Sequence, residues 1–559
     1  DRFEAARGLN PPTDQLLAQT GFALAALDRY AEAAAALGEH LRRHPADARV
    51  WHRVGHVLLR LGQDADALAA FEQAAAHAPT SPEARVSLGV ALQAGRPDEA
   101  LACYRNALRV RPDMPEAQNN LGNAYVEAGR TAEAVPLLRA AAAGRPNWPA
   151  LHSNLLLALN YRPEVTPADL LAEHRAWADR FAAPLAPADP PRPAAPDPGR
   201  PLRIGYLSAD LRRHPVAAYI GPVLAAHDRT AVRVICYSAA RRADDVTDRL
   251  KAAADDWRDI AGLDDAAAAD LIRRDGVDVL VDLGGHTAGN RLLVLARRPA
   301  PVQVTHFGYP NTTGMRVMDY RLTDEAADPN GVDGFYTERL VRLPDVGWCW
   351  GPPAAAPDPG PLPCRANGHI TFASLNNPAK VTDEVAAVWA QVLHRVPDSR
   401  LLLLTGLLAE TRERIARLFA GLGVDPGRLR LESRGPADRY YALWASADVG
   451  LDPFPYNGGV TTPDALWMGV PVVSLTGDFC RARQGVSVLG VVGLGDWVAP
   501  TTAGYVDRAA RAAADPDELS AVRAGLRDRL RGSPLLDAAR FTRHLEAAYQ
   551  RMWQERAGM

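Results

Sequence analysis

The sequence predicts an all-helical repeat array followed by two doubly wound α/β domains, and three observations predict it. Small residues recur at a fixed period along the first part of the chain. Two proline-rich stretches interrupt it further on. After each stretch, apolar strand patterns alternate with helical ones.

The repeats come first. Gly21, Gly55, Gly89 and Gly122 are spaced 34, 34 and 33 apart, and Pro45, Pro79, Pro112 and Pro146 are spaced 34, 33 and 34 apart. Between them runs one pattern: YAEAAAALGEHLRRHP, DADALAAFEQAAAHAP, PDEALACYRNALRVRP and TAEAVPLLRAAAAGRP. This is the helix–turn–helix period of tetratricopeptide repeats. Alanines stand where paired helices approach, Tyr30, Phe71, Tyr104 and Leu137 are expected to fill the next layer, and proline ends each unit. The third unit is one residue short in its first helix or turn. About four repeats fill 14–148. A degenerate fifth, PALHSNLLLALNY, opens a connector over 149–200 and leads into PADLLAEHRAWADRFA. Ala183–Pro201 (APLAPADPPRPAAPDPGRP) excludes helix and sheet and marks a boundary.

The first α/β half, 201–350, carries strands in LRIGYLSAD, VRVICYS, VDVLVDLGG and PVQVTHFGYP, with a helix in DDAAAADLIRRDG. A second proline-rich linker spans 351–365. The second half, 366–559, has strands in HITFASL, RLLLLTG, LRLES, DVGLDPF and PVVSL, with helices in DEVAAVWAQVLHRV and ETRERIARLFAGLG. Alternation of this kind makes parallel sheets whose ligands bind beyond the strands' C-terminal ends.

Composition narrows the function classes. At 559 residues the chain exceeds one core, and a net charge of −3 gives no general attraction to nucleic acid or anionic membranes. The cysteines Cys103, Cys236, Cys349, Cys364 and Cys480 have neither metal-ligand nor disulfide spacing, which fits a reducing compartment. No apolar run reaches the ~18 residues of a membrane span. The opening DRFEAARGLN has neither an initiator Met nor an apolar signal region, so a trimmed product of a cytoplasmic protein is expected.

Chemistry-bearing residues cluster after the strands. LRIGYLSAD leads to His214, VDVLVD ends on Asp282 and leads to His286 and Thr287, and PVQVTHF leads to GYPNTTG with Tyr309 and Pro310. HITFASL leads to NNPAK with Asn377 and Lys380. DVGLDPF leads to PYNGGVTTPDALWMGVP, which reads as a Gly/Thr loop, a short helix with Thr462 as N-cap and Pro463 in its first turn, and Gly469 past its end. Such a loop aims N–H groups and a helix dipole at one point, which is how phosphate is held. Each candidate also has a bland reading: His214 caps a helix, His286 satisfies its own turn, Asp282 caps a turn, and Lys380 is a solvated charge. Together they suggest a nucleotide-sugar site.

The segments RIGYLSADLRRHP, VDLGGHTAGNRL, RPAPVQVTHFGYPNTTG, FASLNNPAK and LDPFPYNGGVTTPDALWMGVPVVSL, with the repeats, resemble the O-linked N-acetylglucosamine (O-GlcNAc) transferases of bacteria and animals over nearly the whole length. These are enzymes of glycosyltransferase family 41 type. The resemblance implies an α-helical tetratricopeptide superhelix followed by a two-domain glycosyltransferase-B region of double Rossmann-like form. It implies inverting transfer of N-acetylglucosamine from UDP-GlcNAc to Ser/Thr hydroxyls of proteins, with no metal or other cofactor. By the same resemblance, His214 lies near the sugar and diphosphate and positions them, and Lys380 supports departure of the diphosphate. Val460, Thr461 and Thr462 offer N–H and hydroxyl groups to the phosphates, Asp464 takes the ribose hydroxyls, and His286 and Thr287 flank donor or acceptor. His214, Asp282, His286 or a donor phosphate oxygen could each be the base. Arg483 and Ser487 keep the family pattern, whereas Ala482 stands where serine is common and Asn311 where glycine is common, which implies an altered sugar pocket. Of the family's asparagine ladder, only Asn120 and Asn154 match; Gln19, Arg53 and Ser87 replace the others.

The partners implied are a UDP-sugar and protein or peptide acceptors along the repeat groove; a homodimer is compatible with the sequence. Rival readings are a related transferase using another UDP-sugar or a non-protein acceptor, a repeat scaffold with inactive halves, and a sugar epimerase.

Overall fold

The computed structural model describes residues 14–192, 200–353 and 356–558. The opening decapeptide and parts of the two proline-rich linkers (193–199 and 354–355) lie outside the described residues.

Two compact units result. One holds the repeat helices through Tyr125, together with Glu133–Pro146 and Leu407–Glu410; the other holds Val126–Ala132, Asn147–Gly406 and Thr411 onward. Both α/β halves therefore share one unit.

The repeat period has a steric cause. A Cβ added at Gly21, Gly55 or Gly89 would come within 2.5 Å of Leu37, Phe71 or Tyr104, and one at Gly122 within 2.7 Å of Leu138. Each glycine of a first helix thus receives a large side chain from the second. The expected layer of Tyr30, Phe71, Tyr104 and Leu137 needs correction at two places. Leu37 and Leu138 keep the glycine's spacing and are fully buried, whereas Tyr30 and Leu137 are half-buried. The short third unit has a first helix, Pro82–Leu92, of 11 residues where Ala48–Arg60 and Pro115–Glu127 have 13.

In the second unit the degenerate repeat forms Pro149–Leu159 and Pro167–Trp177, the latter opened by a capping box between Thr166 and Asp169. Seven parallel strands follow: β1 Leu202–Ser208, β2 Val232–Ser238, β3 Asp256–Asp259, β4 Val279–Asp282, β5 Val302–Thr305, β6 Tyr320–Thr323 and β7 Arg339–Arg342. Their order is β3-β2-β1-β4-β5-β6-β7. The second sheet has β8 Thr371–Ser374, β9 Arg400–Leu404, β10 Leu429–Glu432, β11 Val449–Leu451, β12 Val472–Leu475 and β13 Val498–Ala499, in the order β10-β9-β8-β11-β12-β13, again parallel. β4 and β5 are buried throughout, as strands covered on both faces must be.

Two features join the halves. The second linker is not a free tether: Arg523 and Arg527, on helix Pro516–Arg531, donate to the carbonyls of Pro359 at 2.7 Å and Pro357 at 2.6 Å. Helix Ala538–Ala557, expected with the second half, packs instead on helix Pro215–Ala226 and β5 of the first. Its Glu546 accepts from His227 Nδ1 at 2.8 Å and from the Asp228 N–H at 2.9 Å. No described helix is long and apolar enough to cross a membrane.

Candidate active site

A cavity of about 650 Å³ opens where the two sheets' strands end. Its walls come from segments that follow strands: His214 after β1, Phe307–Gly308 and Pro310 after β5, Asn376, Asn377 and Lys380 after β8, Tyr456 and Gly459–Thr461 after β11, and Cys480 after β12. Parallel strands stop together, so their loops converge there.

Lys380 ends a single 3-10 turn, Pro378–Lys380, whose cap Asn377 accepts the Ala379 N–H at 3.0 Å. Its Nζ donates to the Asn457 carbonyl at 2.6 Å and lies 4.3 Å from the centre of the Tyr456 ring. Burial pulls the ammonium down to about 8, and the carboxylate of Asp452 opposes that shift. Asp452, at the end of β11, is itself raised to about 6 by burial. It accepts from the Gly458 N–H of the Gly/Thr loop at 2.7 Å and from Ser474 Oγ on β12 at 2.6 Å.

The Gly/Thr loop runs into helix Thr461–Trp467 with Val460 in the cap position, two residues before the expected Thr462. Pro463 fits anywhere in a first turn, where N–H groups have no intrahelical partner, so it did not define the cap. Gly469, at φ +72°, ends the helix as expected. Val460 and Thr461 line the cavity, and Thr461 Oγ1 donates to Asn376 Oδ1 at 2.7 Å. Thr462 and Asp464 are buried behind the wall. Asp464 accepts from the hydroxyls of Tyr440 at 3.0 Å and Tyr441 at 3.4 Å, and burial raises it to about 7 against those two bonds.

His214 stands on the first sheet's side as the N-cap of helix Pro215–Ala226, its Nδ1 accepting from the Val216 N–H at 3.3 Å. Burial lowers its pKa, and Asp210, 3.6 Å away, opposes the shift. Capping and cavity lining are both true of this residue.

The remaining candidates of the first sheet are not cavity walls. Asp282, 2% exposed, accepts from the N–H groups of Gly284 at 3.1 Å and Gly285 at 2.8 Å and from Thr305 Oγ1 at 3.1 Å. Thr287 Oγ1 donates to the Gly284 carbonyl at 2.8 Å. His286 is 1% exposed: Nε2–H donates to the Thr313 carbonyl at 2.9 Å and Nδ1 accepts from Ser153 at 3.1 Å. Trp177, His174 and Tyr309 surround its ring, and burial lowers its pKa well below the usual histidine value. The Tyr309 hydroxyl accepts from Asn160 at 2.8 Å and donates to His174 at 2.8 Å, while Asn311 donates to Asn160 at 2.9 Å rather than facing the cavity. Asp282 and His286, expected in catalysis, and Tyr309, expected at the substrate, thus lie off the cavity wall with their polar atoms engaged inside the protein.

Arg483 and Ser487 bind the halves together, donating to the Ala326 carbonyl at 2.9 Å and to Asp324 at 2.6 Å. Of the two residues expected in the acceptor groove, Asn120 accepts from Asn119 Nδ2 at 3.1 Å and Asn154 lies half-buried on helix Pro149–Leu159. Sequence reasoning missed Tyr456, Asp452, Tyr440, Tyr441 and Arg321. The last is a buried cavity-wall guanidinium that donates to the carbonyls of Tyr309 at 3.0 Å and Asn311 at 2.9 Å. Asp452 and Tyr456, just after β11, carried a positional signal; on helix Ala437–Ala445 periodicity says no more of Tyr440 and Tyr441 than which face they share. Among the described residues no group of three or more His, Cys, Asp or Glu is arranged to hold a metal.

A family pattern described as glycosyl transferase family 41 matches residues 191–349 and 362–545, and tetratricopeptide patterns match 48–81 and 89–149. The SPINDLY protein of Solanum lycopersicum, named a probable UDP-N-acetylglucosamine–peptide N-acetylglucosaminyltransferase, is 41% identical over 408 residues, covering 72% of this chain and 44% of its own. The SEC protein of Arabidopsis thaliana, named likewise, is 32% identical over 364 residues, or 63% of this chain and 37% of its own. The chain thus spans less than half the length of these curated relatives. A point mutant of the Thermobaculum terrenum O-GlcNAc transferase superposes with a TM-score of 0.87 at 40% identity, covering 92% of this chain and 99% of that one.

Proposed function

The chain belongs to glycosyl transferase family 41, and from that premise we propose that it moves N-acetylglucosamine from UDP-GlcNAc to Ser or Thr hydroxyls of proteins, with inversion and without a metal. The observation that carries this reading is Lys380: a cation drawn into the wall of one cavity, beside the N-terminal turn of a helix and facing His214's sheet. The names of the relatives supply the donor and the acceptor class.

In the reaction an acceptor hydroxyl attacks the anomeric carbon and gives up its proton to a base, the bond from that carbon to the phosphate oxygen breaks, and negative charge grows on UDP. A fixed cation and aligned N–H dipoles stabilise that charge more in the transition state than before it, which lowers the barrier. Lys380 supplies the cation, and the backbone at Gly459–Thr461 supplies the dipoles. His214, held by its cap, orients the reactants. Asp464 serves the ribose with the acceptor positions that Tyr440 and Tyr441, one bond to each oxygen, leave open. The repeats suit a protein acceptor, and the free, mostly buried cysteines fit a cytoplasmic site of action.

The test is incubation of the chain and isotopically labelled UDP-GlcNAc with a cell lysate, followed by mass spectrometry of Ser and Thr residues. Sugar on proteins only when the active chain is present supports the reading. No incorporation, with no heat of UDP binding by calorimetry, overturns it.

A further inference from the structure

A three-residue turn makes few bonds of its own, so the backbone that presents Lys380 needs outside support. Within it, the Lys380 N–H donates to the Asn377 carbonyl and the Val381 N–H to the Pro378 carbonyl, both at 2.9 Å. Two distant segments press on it from outside. Arg414, on helix Ala409–Gly421, donates Nη2 to the Val381 carbonyl at 2.9 Å and Nε to the Ala128 carbonyl at 3.2 Å. Ala128 and Gly129 lie in the turn between helices Pro115–Glu127 and Thr131–Gly144. Gly129 has φ +73°, and a Cβ there would come within 2.5 Å of the Pro378 carbonyl oxygen and collide with the Arg414 guanidinium. Only glycine lets the two turns touch.

We propose that Arg414 is a positioning residue for Lys380, pinning the Pro378–Val381 backbone to the Ala128–Gly129 turn so that the amine stays at the cavity wall. The planar guanidinium fork reaches both carbonyls in one fixed geometry, which a lysine ammonium on a flexible stem does not match. Asp383, 3.8 Å from Arg414 and 81% exposed, adds little. The proposal rests on the role read for Lys380 above.

The chain has two lysines, Lys251 and Lys380, which makes the test clean. Reductive methylation with 13C-formaldehyde gives two lysine resonances, and Lys251→Arg assigns them. In the parent the Lys380 resonance titrates near its lowered value of about 8, set by burial with Asp452 opposing, while the Tyr456 ring and Asn457 carbonyl face the amine. In Arg414→Ala the turn loosens, water reaches the amine, and the titration moves up. Turnover of UDP-GlcNAc falls about tenfold to a hundredfold with the donor KM nearly unchanged, as for a reacting group misplaced by roughly an ångström. Gly129→Ala disturbs the same contact from the other side and reproduces both effects, and the double variant loses no more than the worse single one. Gly129→Ala also decides the matter should Arg414→Ala fail to fold. A folded variant whose Lys380 titration and turnover match the parent overturns the proposal. A parent chain with no turnover overturns the functional reading instead, and the titration still decides the role of Arg414.

Discussion

The loops after β4 and β5 of the first sheet and those after β8 and β11 of the second carry the same kinds of residue, and they face different surroundings. In the first sheet Asp282, His286, Tyr309 and Asn311 find every polar partner inside the protein, largely in the helical connector and in neighbouring loops. In the second, Lys380, Asn377, Val460 and Thr461 stand in the cavity wall. Position at a strand end therefore nominates a residue without deciding its role. Protein partners alone do not separate the sets, since Lys380 and Thr461 also have them; what differs is that the second set lines the cavity and the first does not.

Substitutions sharpen that contrast. The largest effect is expected for Lys380→Ala, which removes the charge proposed to stabilise the leaving group: about a hundred- to thousandfold in turnover, or ~3–4 kcal/mol, with the melt unchanged. Turnover above about a tenth of the parent's would erase the difference between the sheets. Acidity gives the next test. The proposed role needs Lys380 as the ammonium, and burial lowers its pKa to about 8, so kcat/KM for the donor should fall about tenfold per unit as pH rises beyond that value. The limb in kcat should lie higher, because a bound diphosphate favours the ammonium. A flat profile between pH 7 and about 10 would remove the lysine from the charge-stabilising role.

His214→Asn is expected to cost less, under about tenfold in turnover, because asparagine caps the helix equally well and only the orienting contact is lost. A loss of about 10²–10⁴ would make His214 a general base instead. The smallest effect on turnover is expected for His286→Ala. It strands Ser153 and the Thr313 carbonyl at a cost of about 1–3 kcal/mol in stability, seen as an earlier melt, while the folded fraction turns over normally. Loss of turnover without loss of stability would put His286 back among the reacting groups.

Much of the fold is legible because its signals are long. The 34-residue spacing follows from glycine sockets that admit Leu37, Phe71, Tyr104 and Leu138. Tyr30 and Leu137 were expected in those sockets, although the glycine period itself leads to Leu37 and Leu138. The apolar strands of both sheets were legible, but β3, β6, β7 and β13 were not. β3 (DWRD) and β7 (RLVR) are partly exposed, arginine-bearing edge strands, β13 has two residues, and β6 hides a buried arginine. In the site, Lys380 and the Gly/Thr loop stood out because they follow apolar strands. Asp282 and His286 stood out for the same reason. Nothing local separates the two sets, because His286 is closed in by Ser153, 133 residues earlier, and by Thr313, 27 residues later.

Helix Ala538–Ala557 covers β5 and binds His227, so the first sheet lacks part of its cover until the polypeptide through Ala557 has been made. During synthesis the first half waits on the second for this part of its cover. A fusion or cut just upstream of Ala538 should leave a product whose earlier half, though complete in sequence, is exposed to proteases and chaperones.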